Sequence, residues 1–204
     1  MTTVYDYKTI AAPATGVFKD KGSKFLSFAL PVDAEAQARE AVRKLKKEYF
    51  DARHHCFAYR IGAGGEQWRA NDDGEPSSAA GKPILGQLLS RELTNVLVVV
   101  VRYFGGALLG VPGLINAYRS AAAAALNNAQ VMEKTVQEIV TVTFPYRQLN
   151  AMMKLLKEEE GEIRSQQCGT ECVFEVAVPL RKKEKFLHKW KKQNYNDEKP
   201  DIHS

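Results

Sequence analysis

Val96-Leu-Val-Val-Val-Val-Arg-Tyr-Phe-Gly-Gly-Ala-Leu-Leu-Gly-Val-Pro-Gly113 joins six consecutive apolar residues to a segment dense in glycine. The β-branched run predicts a strand, Val96–Tyr103, buried on both faces. The glycines predict a connection, and Pro112 suits the first turn of a helix, where its missing N–H costs nothing. That helix is alanine-rich and is expected over 112–128. Upstream lies a second unusual segment, Asn71-Asp-Asp-Gly-Glu-Pro-Ser-Ser-Ala-Ala-Gly-Lys-Pro83. Core packing does not call for small polar residues, Gly and Pro in such density. Connections of this kind present backbone N–H groups and a few side chains to something outside.

The flanking sequence completes an α/β pattern. Val4–Ile10 and Lys24–Val32 are expected strands, and Asp33 is placed to cap a helix reaching about Tyr49. Ala38, Ala41, Val42, Leu45 and Tyr49 fall on one face of it. His55–Ile61 and Glu66–Ala70 suggest strands about a Gly62–Gly65 turn. Pro83–Leu93 suggests a short helix with Ile84, Leu85, Leu88 and Leu89 inward. Asn127–Gln130 looks like a linker. Beyond it Val136–Phe144, Tyr146–Glu160, Glu162–Gln167, Cys172–Val178 and Arg181–Gln193 follow the order β-α-β-β-α of a small α+β domain. The expected division is 1–130 and 131–204, with a polar, frayed tail at Asn194–Ser204.

Composition narrows the class. Apolar residues make up 45% and charged residues 26%, the balance of a soluble globular chain. The net charge is +5, and residues 1–130 hold 16 basic against 12 acidic side chains. This excess permits RNA as a partner without requiring it. Three cysteines, Cys56, Cys168 and Cys172, are too few for a disulfide scaffold and suit a reducing compartment. The first residues carry no leader pattern and no apolar run reaches the ~18 residues of a membrane span, so the expectation is a cytoplasmic protein without a membrane partner.

Several constellations invite chemistry. His54-His55-Cys56 hints at a metal, but neighbours on a strand point to opposite faces and a closed zinc site wants four ligands, so none is expected. Asp72, Asp73 and Glu75 with Ser77 and Ser78 resemble a phosphoryl-transfer or hydrolase cluster, with His54 or His55 as base. They serve equally to tie the loop to itself. Gly105, Gly106, Gly110 and Gly113 open the long helix, a natural anion site. No nucleotide-loop motif accompanies them, so no cofactor is expected. Arg102, Arg119 and Lys82 are candidates to meet phosphates, and His55, Tyr59 and Tyr103 to stack on bases. The basic helix Arg181–Lys192 could touch RNA or membrane. A helix of this kind more commonly docks Phe186, Leu187 and Trp190 on its own sheet. Cys168 and Cys172 flank a hairpin tip as a redox pair or as two plain thiols.

His54-His-Cys-Phe-Ala-Tyr-Arg60, Asn71–Ser78, Gly81-Lys-Pro-Ile-Leu85 and Val100-Val-Arg-Tyr-Phe-Gly-Gly-Ala-Leu-Leu-Gly110 together resemble the YigZ/IMPACT family over about residues 17–127. The resemblance implies a first domain similar to a ribosomal-protein fold and to domain IV of elongation factor G. It implies a ferredoxin-like second domain similar to domain V of that factor. It also implies a link to translation, through RNA, the ribosome or a translation-associated protein, with no specificity for DNA. Eukaryotic members bind the activator of an initiation-factor kinase through an additional N-terminal domain, so that role is not expected here. The binding surface expected from these motifs comprises His54, His55, Tyr59, Arg60, Asn71, Asp72, Asp73, Glu75, Ser77, Ser78, Lys82, Arg102, Tyr103, Phe104, Gly105, Gly106, Gly110, Gly113 and Arg119. The competing expectations are the hydrolase or phosphotransferase built on Asp72, Asp73, Glu75 and Ser77, and a module that binds protein alone.

Overall fold

The structure, a computed structural model, describes residues 3–197. It resolves into two compact units, residues 6–134, and residues 3–5 with 135–197.

The first unit is built on a five-stranded sheet. Its strands are β2 (Ala14–Asp20), β3 (Ser23–Pro31), β4 (His54–Ile61), β5 (Gln67–Asn71) and β6 (Val96–Tyr103), in the order β2-β3-β6-β4-β5. All of its pairings are antiparallel. β6 is central, and both its faces are covered, which explains the unbroken apolar run. Val96, Val98 and Val100 face α2 (Gly81–Ser90) and α3 (Gly110–Asn128). Leu97, Val99 and Val101 face α1 (Glu35–Glu48). Each such side chain contributes about 1.5–3 kcal/mol by leaving water. Continuous burial of this kind is commoner in parallel sheets, but here helices on both sides do the same for an antiparallel one. β1 (Asp6–Ile10) and β7 (Val131–Thr135) form a separate two-stranded sheet.

Four local expectations need correction. Asp33 does not cap α1. The N-cap residue is Ala34, and the Asp33 N–H instead donates to Gln37 Oε1 at 3.0 Å. Leu89 is 53% exposed, although Leu88 beside it in the same last turn is fully buried. α3 ends at Asn128 as expected, but this shortens the linker expected at Asn127–Gln130 to Ala129 and Gln130 before β7. Strand β2 was not expected, because Gly16 and the terminal Lys19 and Asp20 obscure the alternation. Its cause is packing: α3 lies on it at Gly16, where a Cβ would sit 2.6 Å from Ala124 C. The small residues Ala121, Ala124 and Ala125 of α3 permit that approach.

The second unit has β8 (Gln137–Pro145), α4 (Leu149–Glu158), β9 (Glu162–Cys168), β10 (Glu171–Pro179) and α5 (Lys183–Asp197). β10 inserts between β8 and β9, antiparallel to both, as in a split βαβ sheet. Phe144, Met152, Leu155, Phe174 and Phe186 form its core. The basic α5 docks Phe186, with Leu187 and Trp190 packed alongside, on this core. Lys183 pairs with Glu138 at 2.6 Å and Lys189 with Glu158 at 2.8 Å, so those lysines serve the unit itself. The expected tail at Asn194–Ser204 begins inside α5, and residues 198–204 lie outside the described residues.

Gly16→Val forces α3 off the sheet. It is expected to lower unfolding free energy by about 1–3 kcal/mol in urea titration, the range for overpacking, whereas Gly86→Ala, with open space at its Cβ, is expected to cause no loss.

Candidate functional site

The loop 71–80 joins β5 to α2 and lies against the end of β4 and β6 that carries His54 and Arg102, which are register partners. Its three carboxylates turn inward. Asp72 Oδ1 accepts N–H bonds from Ala80 at 3.0 Å and Gly81 at 2.8 Å, and Oδ2 accepts one from Ser78 at 2.9 Å. Asp72 thus caps α2 from eight residues upstream, meeting the orphan N–H groups and positive dipole of its first turn. Burial alone pushes its pKa up, but those N–H groups and Lys82 outweigh it and hold the carboxyl below its ordinary range. Ser78 is held at φ +64°, a left-handed conformation sustained by the same bond.

Asp73 faces the other way. Its Oδ1 accepts from Lys46 Nζ at 2.7 Å and its Oδ2 from the His55 N–H at 2.7 Å. Burial pushes its pKa up, and the Lys46 and His55 bonds pull it below the usual value. Asn71 Oδ1 receives the Asp73 N–H at 2.9 Å. His54 Nδ1 donates to the Asp73 carbonyl at 2.9 Å, and His55 Nε2 donates to the Tyr49 carbonyl at 3.1 Å. His55 is buried, and burial pushes its pKa down, so its 3.8 Å approach to Asp73 is no ion pair at neutral pH.

Glu75 and Arg102 form the buried centre. Arg102 donates to Glu75 Oε1 at 2.6 Å, and the Tyr118 hydroxyl of α3 donates to the same oxygen at 2.7 Å. The guanidinium also lies 5.6 Å from the Phe25 ring centroid and 5.8 Å from that of Phe104. Cys56 Sγ lies 3.0 Å from the Asp72 carbonyl, to which it donates, and 3.3 Å from Tyr118 Oη. Burial pushes the Cys56 and Tyr118 pKa values up, so both stay protonated. The network joins loop, β4, β6 and α3.

These contacts sort the residues expected from the sequence. Arg102 is buried, and its guanidinium turns to Glu75. The hydrolase arrangement is not assembled: Asp72, Asp73 and Glu75 are engaged by N–H groups, Lys46, Arg102 and Tyr118, and the His54 Nδ1 and His55 Nε2 donors go to carbonyls. Ser77 is exposed and stands apart from the hydrogen bonds described above. Among the described residues no cluster of three or more His, Cys, Asp or Glu could hold a metal. Tyr59 and Arg60 pair with Leu97 and Val96 at the far end of β6. They lie five and six residues along the strand from His54, about 17 and 20 Å. Tyr59 is buried under α1, and Arg60 donates to the Leu93 and Gly64 carbonyls. Tyr103 lies on the α1 face and donates to Asp51 at 2.8 Å. Tyr59 and Arg60 thus lie away from the loop, whereas Tyr103 neighbours Arg102 at the loop end with its hydroxyl turned to Asp51.

What does face outward there is the connection 104–110 and the start of α3. Phe104 is 55% exposed and Leu108 86%, with Val111, Gly105, Gly106 and Gly110 also exposed. Gly113 is half-buried. Gly105 packs directly on Gly22, so the β2–β3 turn flanks the loop and places exposed Lys21 and Lys24 beside it. These lysines were missed because eighty residues separate them from the loop. α3 starts with no side-chain cap from its N-cap residue and no acid in its first turn. Lys82 and Arg119 are exposed.

The first unit is thus a layered antiparallel α/β unit whose acidic loop closes upon itself and whose glycine-rich apolar loop is exposed. The family described as the Impact N-terminal domain matches residues 21–126, and the chain belongs to the IMPACT family. It is 36% identical to the IMPACT family member YigZ of Escherichia coli over 88% of this chain and 89% of that one. It is 33% identical to YvyE of Bacillus subtilis over 90% and 84% respectively. A crystal structure described as that of a hypothetical protein superposes with TM-score 0.71 at 35% identity, covering 92% of each chain.

Two outcomes test the network. Arg102→Met is expected to destabilise the protein by about 3–5 kcal/mol by stranding buried Glu75, and Glu75→Leu in the same chain to restore part of that loss in urea unfolding. Asp72→Ala is expected to cost about 1–2 kcal/mol at pH 7. The folded pKa of Asp72 is depressed below its unfolded value of about 3.9, so its stabilisation is complete above that pH and lost as pH falls through the folded pKa. The gap between wild type and Asp72→Ala therefore closes below about pH 4 in pH-dependent melts.

Proposed function

We propose that the protein is a non-enzymatic, translation-linked binding protein that holds RNA against the 104–113 loop and the first turn of α3. One observation carries the reading. The nineteen-residue α3 opens without an acidic neighbour in its first turn, on an exposed loop that also displays Phe104 and Leu108. Free N–H groups and the positive helix end attract phosphate. An exposed aromatic offers a platform for a base, and Lys21, Lys24, Lys82 and Arg119 add positive charge. The contrast with α2 supports the assignment, because α2 has its own Asp72 where an external anion would otherwise go. The likeness that family resemblance implies to domains IV and V of elongation factor G points in the same direction. The same resemblance points to the ribosome as the source of the RNA and to the cytoplasm as its place. His54, Asn71, Asp72, Asp73, Glu75, Ser77, Ser78 and Arg102 are assigned to shaping this surface from beneath or beside it.

The test is binding of single-stranded and hairpin RNA by fluorescence anisotropy across a salt series. Log K is expected to fall linearly with log salt. Lys21→Glu with Lys24→Glu is expected to flatten that slope, and Phe104→Ala to weaken binding about tenfold. A salt-independent response, or unchanged binding by both variants, overturns the reading. A partner retained from ribosome-containing extract after nuclease treatment, with no binding to naked RNA, would assign the surface to protein instead.

A further inference from the structure

The second unit holds a pair of thiols that the proposed RNA surface does not use. Cys168 ends β9 and Cys172 is the second residue of β10, with Gly169 and Thr170 between the strands. The two cysteines are direct register partners. On the turn side the pair is bracketed by a bond from the Gly169 N–H to the Glu171 carbonyl at 2.9 Å. In an antiparallel ladder that bond belongs to the neighbouring position, so Cys168 and Cys172 face each other as a non-hydrogen-bonded pair. Such pairs bring their Cα atoms to about 4.5 Å and their side chains closest together. That spacing falls within the range a disulfide spans. Both side chains point to the same face of the sheet.

The pair is also asymmetric in access. Cys168 lies on edge strand β9 and is exposed, whereas Cys172 lies on the central strand and is buried. Burial, then the hydrogen bond with Cys168, pushes the Cys172 thiol up to about 11. Solvent therefore reaches the first thiol and not the second. Both are free cysteines in this structure.

We propose that Cys168 and Cys172 form a reversible cross-strand dithiol–disulfide couple that exchanges with a small-molecule disulfide of the glutathione class. The Cys168 thiolate attacks one sulfur of the small disulfide, forming a mixed disulfide and releasing one small thiolate. Cys172 then attacks the Cys168 sulfur and passes its proton to the departing sulfur, which leaves as the second small thiol. The two protein thiols are oxidised by two electrons, and the small disulfide is reduced to two thiols. The product closes a ring of only five residues. A ring that short removes little entropy from the unfolded chain, so the bond is not a structural staple and remains open to reduction.

The full chain is incubated with glutathione at graded ratios of disulfide to thiol, quenched by alkylation and digested with trypsin. Both cysteines fall on one tryptic peptide, residues 165–181. The expected result is that peptide carrying an internal disulfide, with Cys168 labelling reduced about tenfold and restored by excess reduced thiol. Cys172→Ser is expected to stop at the mixed disulfide on Cys168. Cys168→Ser is expected to leave Cys172 reduced under the same conditions. Both variants retain a small side chain at a hairpin tip, and circular dichroism checks that they are folded. A wild-type product that stops at the glutathione adduct, links two chains through Cys168, or stays reduced at every ratio overturns the proposal. So does equal reactivity of Cys172 when Cys168 is replaced.

Discussion

The bond between Arg102 and Glu75 holds the first unit's distinctive parts together. A guanidinium and a carboxylate taken out of water each lose several kcal/mol of hydration, and only close pairing with further hydrogen bonds offsets this. Glu75 receives both Arg102 and the Tyr118 hydroxyl on a single oxygen. Three segments remote in sequence therefore have to meet at one atom. The strand end, the polar loop and the long helix cannot be repositioned independently. Aromatic rings of Phe25 and Phe104 close over the guanidinium. The same cation thus orders the residue that begins the exposed loop.

Two helix beginnings divide the electrostatics of this end of the sheet. At α2 the positive end is neutralised internally by Asp72. At α3 the first turn has no acid and emerges from exposed glycines. The acidic residues that look most reactive in the sequence are the ones most fully occupied. The side chains left outward are apolar and basic, and the RNA proposal rests on that combination.

Much of the architecture was legible in the amino-acid order. The run Val96–Val101 announced a doubly covered strand, and the period of Ala38, Val42 and Leu45 announced α1. Strand β2 was hidden because its reason for existing is Gly16 under α3, a contact made across more than a hundred residues. Which of the expected site residues turn inward was not legible. The motifs named His54, Asp72 and Arg102 together, but charge gave no hint that Arg102 is buried. Nor did it show that Tyr59 and Arg60 belong to the opposite end of the sheet, since strand direction places them and local composition does not. Lys21 and Lys24 became part of the surface only through the register of β3 with β6.

The contact of Gly105 with Gly22 has a historical corollary. A side chain at Gly105 would overlap the backbone of Gly22 and Ser23, and one at Gly22 would meet the Gly105 carbonyl. Most tight contacts can drift, because one residue grows as its neighbour shrinks. Here neither partner has anything left to give up. Both positions are locked against stepwise divergence, and only a simultaneous rebuilding of the two connections offers descendants a way out.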